Sequence, residues 1–347
     1  MQARQMSTGR RNPRRRARAV LTVGSALVAV VAGVLAPAPA GATPGTAAEA
    51  RKLVEEAAHQ LTVIDEQVHE AELIVAAQQQ AAATAAQQAR DAQAALAEFE
   101  PALRAIAQSG YTGKTQSRVA AFLTSESAAE LVQQMTTLDM IADHTNRVVA
   151  RVAAAQAEAQ RAQAAADAAA ATAAAGLGKL AEQKAEVERK ATEYQADFAR
   201  LSAAEQTVVT ESIAGRAIQA PSAVDLPVVP GSAVAIAIET ALAQVGDAYQ
   251  HGGTGPDRFD CSGLTSYAYA AAGYTLPHSS RAQSTMGQQV SRSELQPGDL
   301  VFYYTPVSHV ALYIGNGMIV HARTYGSPVA VTSVDQAGYR WAVRLTG

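Results

Sequence analysis

The stretch Phe259-Asp260-Cys261-Ser262-Gly263-Leu264 holds the only cysteine of this 347-residue chain. A glycine-rich, turn-forming segment (252–257) comes before it, and the apolar segment Leu264 to Ala272 after it has helical character. A sulfur in the first turn of a helix meets unpaired backbone N–H groups and the positive end of the helix dipole, and both favour the thiolate over the thiol. Because a lone thiol forms no intramolecular disulfide, the pattern predicts a cysteine nucleophile.

Residues 1–42 are typical of an export signal. An arginine-rich stretch precedes the uncharged apolar run Ala19 to Leu35, and Ala40-Gly41-Ala42 offers a small-residue cleavage site. The alternative is a retained membrane anchor, for which this apolar run is short. We therefore expect a secreted protein that acts outside the cell membrane.

The predicted mature chain is strongly acidic. The whole chain has 28 lysine and arginine residues against 31 aspartate and glutamate residues, and the signal contains seven of the arginines but no acidic residue. The remaining 21 basic and 31 acidic residues give a net charge near −10. This balance argues against nucleic acid as a partner, since phosphate binding needs clustered basic side chains.

Residues 43–213 are dominated by alanine, glutamine and glutamate and predict an α-helical coiled-coil arm. Apolar residues recur with the alternating spacing of four and three that a coiled-coil seam requires. They are Ala57, Leu61, Ile64, Val68, Ala71 and Val75.

The arm is expected to fold as an antiparallel helical hairpin. Glycines interrupt the helical pattern near residues 109–113, and a second long helix is expected from about Ala128 or Asp139 to Ser212. Two long helices with a helical connection favour the hairpin, which serves either as a passive spacer or as a docking and regulatory arm. The histidines of this half lack partners at metal-ligand spacing and are expected to be solvated on helix faces. They are His59, His69 and His144.

The remainder of the chain divides into a linker and a second domain. Residues 214–231 are rich in proline and predict an extended linker, whose apolar residues are suited to lie against one of the two domains. Residues 232–347 predict an α+β domain with an antiparallel sheet, because helices at about 233–245 and 262–272 are followed by strand-like runs. The strand-like runs are Leu300 to Tyr304, Val310 to Ile314, Met318 to Ala322 and Tyr339 to Leu345.

A thiolate nucleophile needs a nearby base, and the base needs an orienting group. His309 opens one predicted strand and His321 ends the next, with Gly315-Asn316-Gly317 between the two strands. A two-residue turn would pair residue 312 with 321 and separate the imidazoles, whereas a three-residue loop pairs 311 with 321 and puts both on one face. We therefore predict His309 as the base and His321 as the group that orients its ring. A zinc site formed by the cysteine and these histidines is the competing interpretation, but the short ligand spacings typical of zinc are missing.

Four motifs in order across residues 246–322 resemble the signature of the NlpC family of bacterial cell-wall cysteine peptidases. They are Gly246 to Leu264, Leu276 to Gln283, Leu295 to Phe302, and Ser308 to Gly317 with His321-Ala322. The resemblance implies a papain-like α+β fold and endopeptidase activity on peptidoglycan stem peptides, at the bond between D-glutamate and meso-diaminopimelate. It implies Cys261 as nucleophile, His309 as base and His321 as the third polar residue, without a metal or organic cofactor.

The same resemblance implies supporting roles around the cysteine. The Tyr249 hydroxyl would help to hold the tetrahedral intermediate, and Asp260 and Ser262 would shape the groove for the stem peptide. One position departs from the family pattern, because members usually carry an aromatic residue, often Trp, where this chain has His251. That difference concerns the wall of the groove and leaves the three catalytic positions unchanged.

The helical half resembles the coiled-coil arms of actinobacterial wall hydrolases that act at cell division, and of hydrolases switched by the FtsEX transporter complex. This resemblance implies an arm that blocks the groove until a membrane division complex of the FtsEX type moves it. The expected function is a secreted peptidoglycan endopeptidase in wall remodelling or daughter-cell separation. A non-catalytic wall-binding scaffold or activator is one alternative, and an amidase on the same fold is another.

Overall fold

The computed structural model describes residues 46–111, 118–221 and 228–345. The predicted signal, residues 1–42, and part of the predicted linker, residues 222–227, lie outside this range. Among the helices of the described residues, none combines the length and the apolar character needed to cross a bilayer.

The N-terminal part is helical, as predicted. Its helices are α1 (Ala47–Ala97), α2 (Glu100–Tyr111), α3 (Arg118–Thr124), α4 (Ala128–Ala199) and α5 (Ala203–Ala214). Contacts between α1 and α4 run in opposite directions along the two helices. Glu72 of α1 forms an ion pair with Lys184 at 2.6 Å. Gln93 lies further along α1 and donates a hydrogen bond to Gln163, which lies earlier in α4. The expected antiparallel hairpin is therefore confirmed.

The seam of the hairpin follows the predicted apolar spacing. Four of the six predicted residues are buried on α1, and Ala57 and Ala71 are half-buried. The buried four are Leu61, Ile64, Val68 and Val75. Leu61, Ile64 and Val68 share one apolar cluster with residues of α4, which are Val187, Tyr194 and Phe198.

The second long helix ends earlier than predicted. It was expected to reach Ser212, but α4 stops at Ala199 and a separate helix, α5, begins at Ala203. The Ser202 side chain accepts a hydrogen bond from the backbone N–H of Glu205, and the Glu205 carboxylate accepts one from the backbone N–H of Ser202. This capping box starts a new helix, so the chain turns and buries Val209 in the same apolar cluster.

The C-terminal part has the predicted α+β organisation. Its helices are α6 (Ala233–Leu242), α7 (Cys261–Ala271) and the short α8 (Ser280–Gln283), with a 3₁₀ turn at Arg292–Glu294. Two short strands, β1 (Ala248–Tyr249) and β2 (Arg258–Phe259), pair in parallel before α7. The main sheet has the antiparallel order β3-β8-β4-β5-β6-β7. Its strands are β3 (Gln288–Val290), β4 (Leu300–Tyr303), β5 (His309–Gly315), β6 (Met318–His321), β7 (Ala330–Ser333) and β8 (Tyr339–Arg344).

One face of this sheet packs against α7 and forms the core of the C-terminal part. Leu264 and Ala268 of α7 are fully buried in one cluster with Val310 and Leu312 of β5. The first turn of α7 is thereby fixed against the strand that starts at His309. Sequence analysis did not identify β3 and β7, which are short strands at the two edges of the sheet with little apolar alternation.

The β5–β6 hairpin has the predicted register, but its turn differs. Leu312 pairs with Val320, which also sets residue 311 opposite 321. The turn has two residues, Asn316-Gly317, both with positive φ, and a bulge between Tyr313 and Gly315 restores the register that a three-residue loop was expected to give. A bulge therefore puts the two histidines on one face.

A close approach at the start of α7 makes Gly263 a sensitive position. A Cβ there would lie 1.9 Å from the backbone oxygen of Gly253. We expect Gly263→Ala to lower the free energy of unfolding by roughly 2–3 kcal/mol or more, because backbone must move to relieve the clash. Gly178→Ala is the matched control, since nothing lies within 4 Å of its Cβ position in α4. It should be neutral or stabilise by up to about 1 kcal/mol. Denaturant unfolding measures both, and equal stabilities would contradict the prediction.

Candidate active site

Cys261 begins α7 and adjoins the sheet strand that carries His309. Asp260 caps the helix, with its Oδ1 accepting a hydrogen bond from the Gly263 backbone N–H at 2.7 Å. The Cys261 side chain is only 8% exposed, and the backbone N–H of Val310 donates a hydrogen bond to it. Helix α7 and strand β5 together fix the position of the sulfur.

His309 and His321 form a buried imidazole pair. His309 Nε2 lies 2.9 Å from His321 Nδ1, and His321 Nε2 lies 3.2 Å from Thr332 Oγ1. The backbone carbonyl of Ala214 also accepts a hydrogen bond from the His321 ring. On that basis we assign the His321 proton to Nε2, so that Nδ1 accepts from His309 Nε2. His309 Nδ1 is left unprotonated, and it has no hydrogen-bond partner among the described residues. This nitrogen is free to accept a proton.

In this conformation the cysteine and both histidines are neutral. Burial raises the pKa of the Cys261 thiol well above its usual value, and the charges of Asp260 and Glu66 raise it further. Burial, with Arg323 and His321 nearby, lowers the pKa of His309 well below its usual value. Burial and Arg323 lower the pKa of His321 to about 3. The expectation that the helix N-terminus favours the thiolate is therefore wrong for this conformation, because desolvation and nearby carboxylates outweigh the helix dipole.

The first helix of the arm covers the site with a buried carboxylate. Glu66 is 2% exposed and accepts four hydrogen bonds from one short segment of the C-terminal part. Its donors are Ser279 Oγ at 2.5 Å, Ser280 Oγ at 2.6 Å, and the backbone N–H groups of Ser280 and Arg281 at 3.0 Å each. One turn further along α1, Glu70 pairs with the Arg281 guanidinium.

A second set of contacts holds the arm beside β6. Arg323 is almost fully buried, and it donates to Thr62 Oγ1 of α1 at 3.3 Å and to the Tyr304 hydroxyl at 3.0 Å. Tyr325 packs edge-on against Tyr194 and Phe198 of α4. Both helices of the hairpin therefore contact the domain that carries the cysteine.

The residues predicted to support the site lie under the arm. Tyr249 places its hydroxyl 3.2 Å from His251 Nδ1, and the same nitrogen lies 3.3 Å from Asp65 of α1. His251, the departure from the family pattern, thus contacts the arm. Asp260 and Ser262 are both fully buried and hydrogen-bonded to each other at 3.3 Å, so neither faces an open groove in this conformation.

One prediction about the arm histidines is wrong. His69 was expected to be solvated, but it is 3% exposed, and its ring lies against that of His278 with centroids 4.1 Å apart and planes tilted by 32°. His144 is exposed as expected, and His59 is exposed although its ring lies 5.0 Å from that of Tyr304.

Helix α1 has a second buried face, which contacts the C-terminal part, and the sequence contains a signal for it. Its polar members follow helical spacing beside the apolar seam. They are Thr62, Asp65, Glu66 and His69. A polar helix face usually meets water, and nothing in the arm alone indicates its contact with residues some two hundred positions away.

The reactivity of Cys261 tests this electrostatic arrangement, since no other thiol exists in the chain. Glu66→Gln removes a like charge that disfavours the thiolate, so the pKa of Cys261 should fall and alkylation should begin at lower pH than in the unchanged protein. Iodoacetamide rates across pH, followed by intact mass, measure the shift. Glu56→Gln, an exposed carboxylate on the same helix, is the control. Superimposable profiles for Glu66→Gln and the control would contradict the prediction.

Comparisons with known proteins give consistent matches. The profile described as the NlpC/P60 family matches residues 246–346. Probable endopeptidases of Mycobacterium tuberculosis and Mycobacterium bovis are 33% identical over 287 residues, covering 71% of this chain and 74% of theirs. A probable endopeptidase of Corynebacterium glutamicum is 40% identical over 129 residues, covering 37% of this chain and 60% of its own. Among solved structures, the P60 domain of a Mycobacterium avium subspecies paratuberculosis antigen is 31% identical, covering 33% of this chain and 96% of that domain, with a TM-score of 0.32.

Proposed function

Because this chain belongs to the NlpC/P60 family, we propose that it is a peptidoglycan endopeptidase with Cys261 as its nucleophile. The observation that carries the proposal is the buried pair formed by His309 and His321. It leaves His309 Nδ1 as an unpaired base, next in sequence to Val310, whose N–H contacts the cysteine. Nucleophile, base and orienting group are the three parts that acyl transfer by cysteine requires.

The reaction proceeds by acyl transfer once the arm is displaced. His309 Nδ1 takes the proton of the Cys261 thiol, and the thiolate attacks the carbonyl carbon of the scissile peptide bond. The backbone N–H of Cys261 and the Tyr249 hydroxyl stabilise the oxyanion of the tetrahedral intermediate. His309 then protonates the leaving amine, and water hydrolyses the thioester with His309 as base.

The proposed substrate is the stem peptide of peptidoglycan, cleaved between D-glutamate and meso-diaminopimelate. The support is family membership, together with the signature motifs around the cysteine. The predicted export signal is consistent with this substrate, because it would deliver the enzyme to the wall. Wall remodelling or daughter-cell separation is the proposed context.

The arm is proposed to hold the enzyme inactive. Glu66 occupies donors of the segment Ser279 to Arg281, its charge disfavours the thiolate, and burial in this conformation keeps the thiol protonated and His309 neutral. Cys261 is only 8% exposed in this conformation, and we propose that displacement of α1 gives substrate access to it. A membrane division complex of the FtsEX type is the proposed partner that pulls the hairpin away. It would act near the end of α1 at Ala97, which lies about 40 Å along the helix from His69.

Digestion of purified peptidoglycan tests the proposed function. The mature chain and its Glu66→Ala variant are incubated with meso-diaminopimelate-containing peptidoglycan, and the products are identified by mass spectrometry. The proposal expects fragments cut within the stem peptide, more abundant for the variant. Release at the glycan linkage would instead indicate an amidase, and binding without any cut by either protein would indicate a scaffold.

A further inference from the structure

A cluster of two histidines and one carboxylate joins the arm to the start of the cysteine helix. Asp260 Oδ2 lies 2.7 Å from His278 Nε2 and 3.4 Å from His69 Nε2. One ligand atom from each of the three residues can be chosen so that all lie within 4.8 Å of one another. His69 belongs to α1, whereas Asp260 and His278 belong to the C-terminal part, so the cluster spans the contact between them.

The burial of His69 is not explained by hydrogen bonding. It is 97% buried, and neither of its ring nitrogens has a hydrogen-bond partner among the described residues. Its Nε2 lies 3.4 Å from Asp260 Oδ2 and 3.9 Å from Asp65 Oδ1. Buried imidazoles without a partner are rare, and one that faces a carboxylate and a second imidazole has the surroundings of a metal ligand.

We propose that His69, His278 and Asp260 bind a zinc ion that fastens the arm over the active site. Two imidazole nitrogens and a carboxylate oxygen form a donor set that zinc accepts, whereas calcium and magnesium prefer oxygen ligands. Tetrahedral zinc with ligands at about 2.0–2.1 Å separates them by about 3.3 Å. The 3.4 Å separation between His69 and Asp260 already fits, and the 2.7 Å contact between His278 and Asp260 must open by about 0.6 Å.

The surroundings also suit a metal. The other oxygen of Asp260 is held by the Gly263 backbone N–H and the Ser262 hydroxyl, which leaves Oδ2 oriented toward the histidines. Asp65 or a water molecule supplies the fourth ligand. A cavity of about 670 Å³, lined by residues that include Asp65, His69 and His278, opens beside the cluster and gives an ion a way in.

Zinc would act on the arm through mass action. An ion bound by ligands from both sides stabilises only the conformation in which the arm is seated, and it is lost when the arm leaves. Available zinc would therefore set how readily the arm is released. The zinc site is inferred from the geometry of the cluster alone, and only its effect on catalysis rests on the proposed function.

Zinc titration of the full mature chain tests the site without using activity. Tag-free protein carrying Cys261→Ala, which removes the thiol as an alternative ligand, is stripped with a chelator and titrated with zinc chloride by calorimetry. We expect one zinc per chain, a higher melting temperature with zinc and no response to magnesium. X-ray absorption of the wild-type complex should show nitrogen and oxygen neighbours at about 2.0 Å and no sulfur at about 2.3 Å.

Substitutions of the ligand residues distinguish this site from nonspecific zinc binding at the surface. His69→Ala and His278→Ala should each weaken zinc binding by about 100-fold or more and remove the zinc-dependent rise in melting temperature. His144→Ala, an exposed arm histidine, is the matched control and should leave both unchanged. Circular dichroism without zinc checks that the variants fold, and His69→Gln offers a less disruptive change if alanine does not. Failure of the Cys261→Ala chain to bind zinc, or equal binding by the folded ligand variants, would overturn the proposal.

Discussion

Replacing Cys261 with alanine is expected to lower kcat/KM for stem-peptide cleavage by about 10⁴-fold or more, to the level of the uncatalysed control. The thiol is the only cysteine in the chain and lies at the first turn of α7, against the strand that carries His309. Because no thioester forms without it, neither the base nor the oxyanion donors have a reaction to assist. The measurement is the rate of muropeptide release by chromatography, with Glu66→Ala present in every variant so that the arm does not mask the loss.

His309→Ala, and its combination with Cys261→Ala, show whether the two residues act as one unit. Each single change should cost nearly the full rate, and the double variant should be no slower than either, because residues of a catalytic unit are not additive. Thr285→Ala, an exposed hydroxyl in the same domain, is the control and should retain its rate. Substantial cleavage by the Cys261→Ala protein would reject the assigned nucleophile.

Glu66→Ala is expected to raise the rate of the otherwise unchanged protein by roughly 10- to 100-fold. The side chain accepts four hydrogen bonds in a buried site, and hydrogen bonds to a charged group contribute about 1.5–3 kcal/mol each. A loss of only about 3 kcal/mol from the seated arm would shift the balance toward release by about 100-fold. The same substitution leaves Ser279 and Ser280 without their acceptor, which weakens the seated conformation further.

The rate of peptidoglycan solubilisation measures this effect, with Glu56→Ala on the exposed face of α1 as the matched control. The control should behave as the unchanged protein does. If Glu66→Ala has the same rate as the control while both remain folded, the arm does not limit access to Cys261. An increase confined to KM, without a faster rate, would place Glu66 in substrate binding instead of restraint.

The sequence by itself determined the hairpin of the arm, the central strands and the candidate chemistry. Gly252 to Leu264 predicted a turn followed by a helix that starts at the only cysteine, and the glycines between β5 and β6 predicted a register that brings His309 and His321 onto one face. The spacing of Leu61, Ile64 and Val68 predicted the seam of the arm. These features depend on neighbours close along the chain, where periodicity and turn chemistry act directly.

Only the tertiary structure decided the state of the site. That Glu66, His69 and Thr62 are buried depends on contacts with residues some two hundred positions away, and a polar helix face carries no mark of the surface that will cover it. The ionisation of Cys261 was likewise out of reach, because the helix dipole is a local property whereas burial of the thiol depends on tertiary packing and the charges of Glu66 and Asp65 come from the arm. Local sequence thus fixes which groups are present, and tertiary packing fixes whether they are charged and accessible.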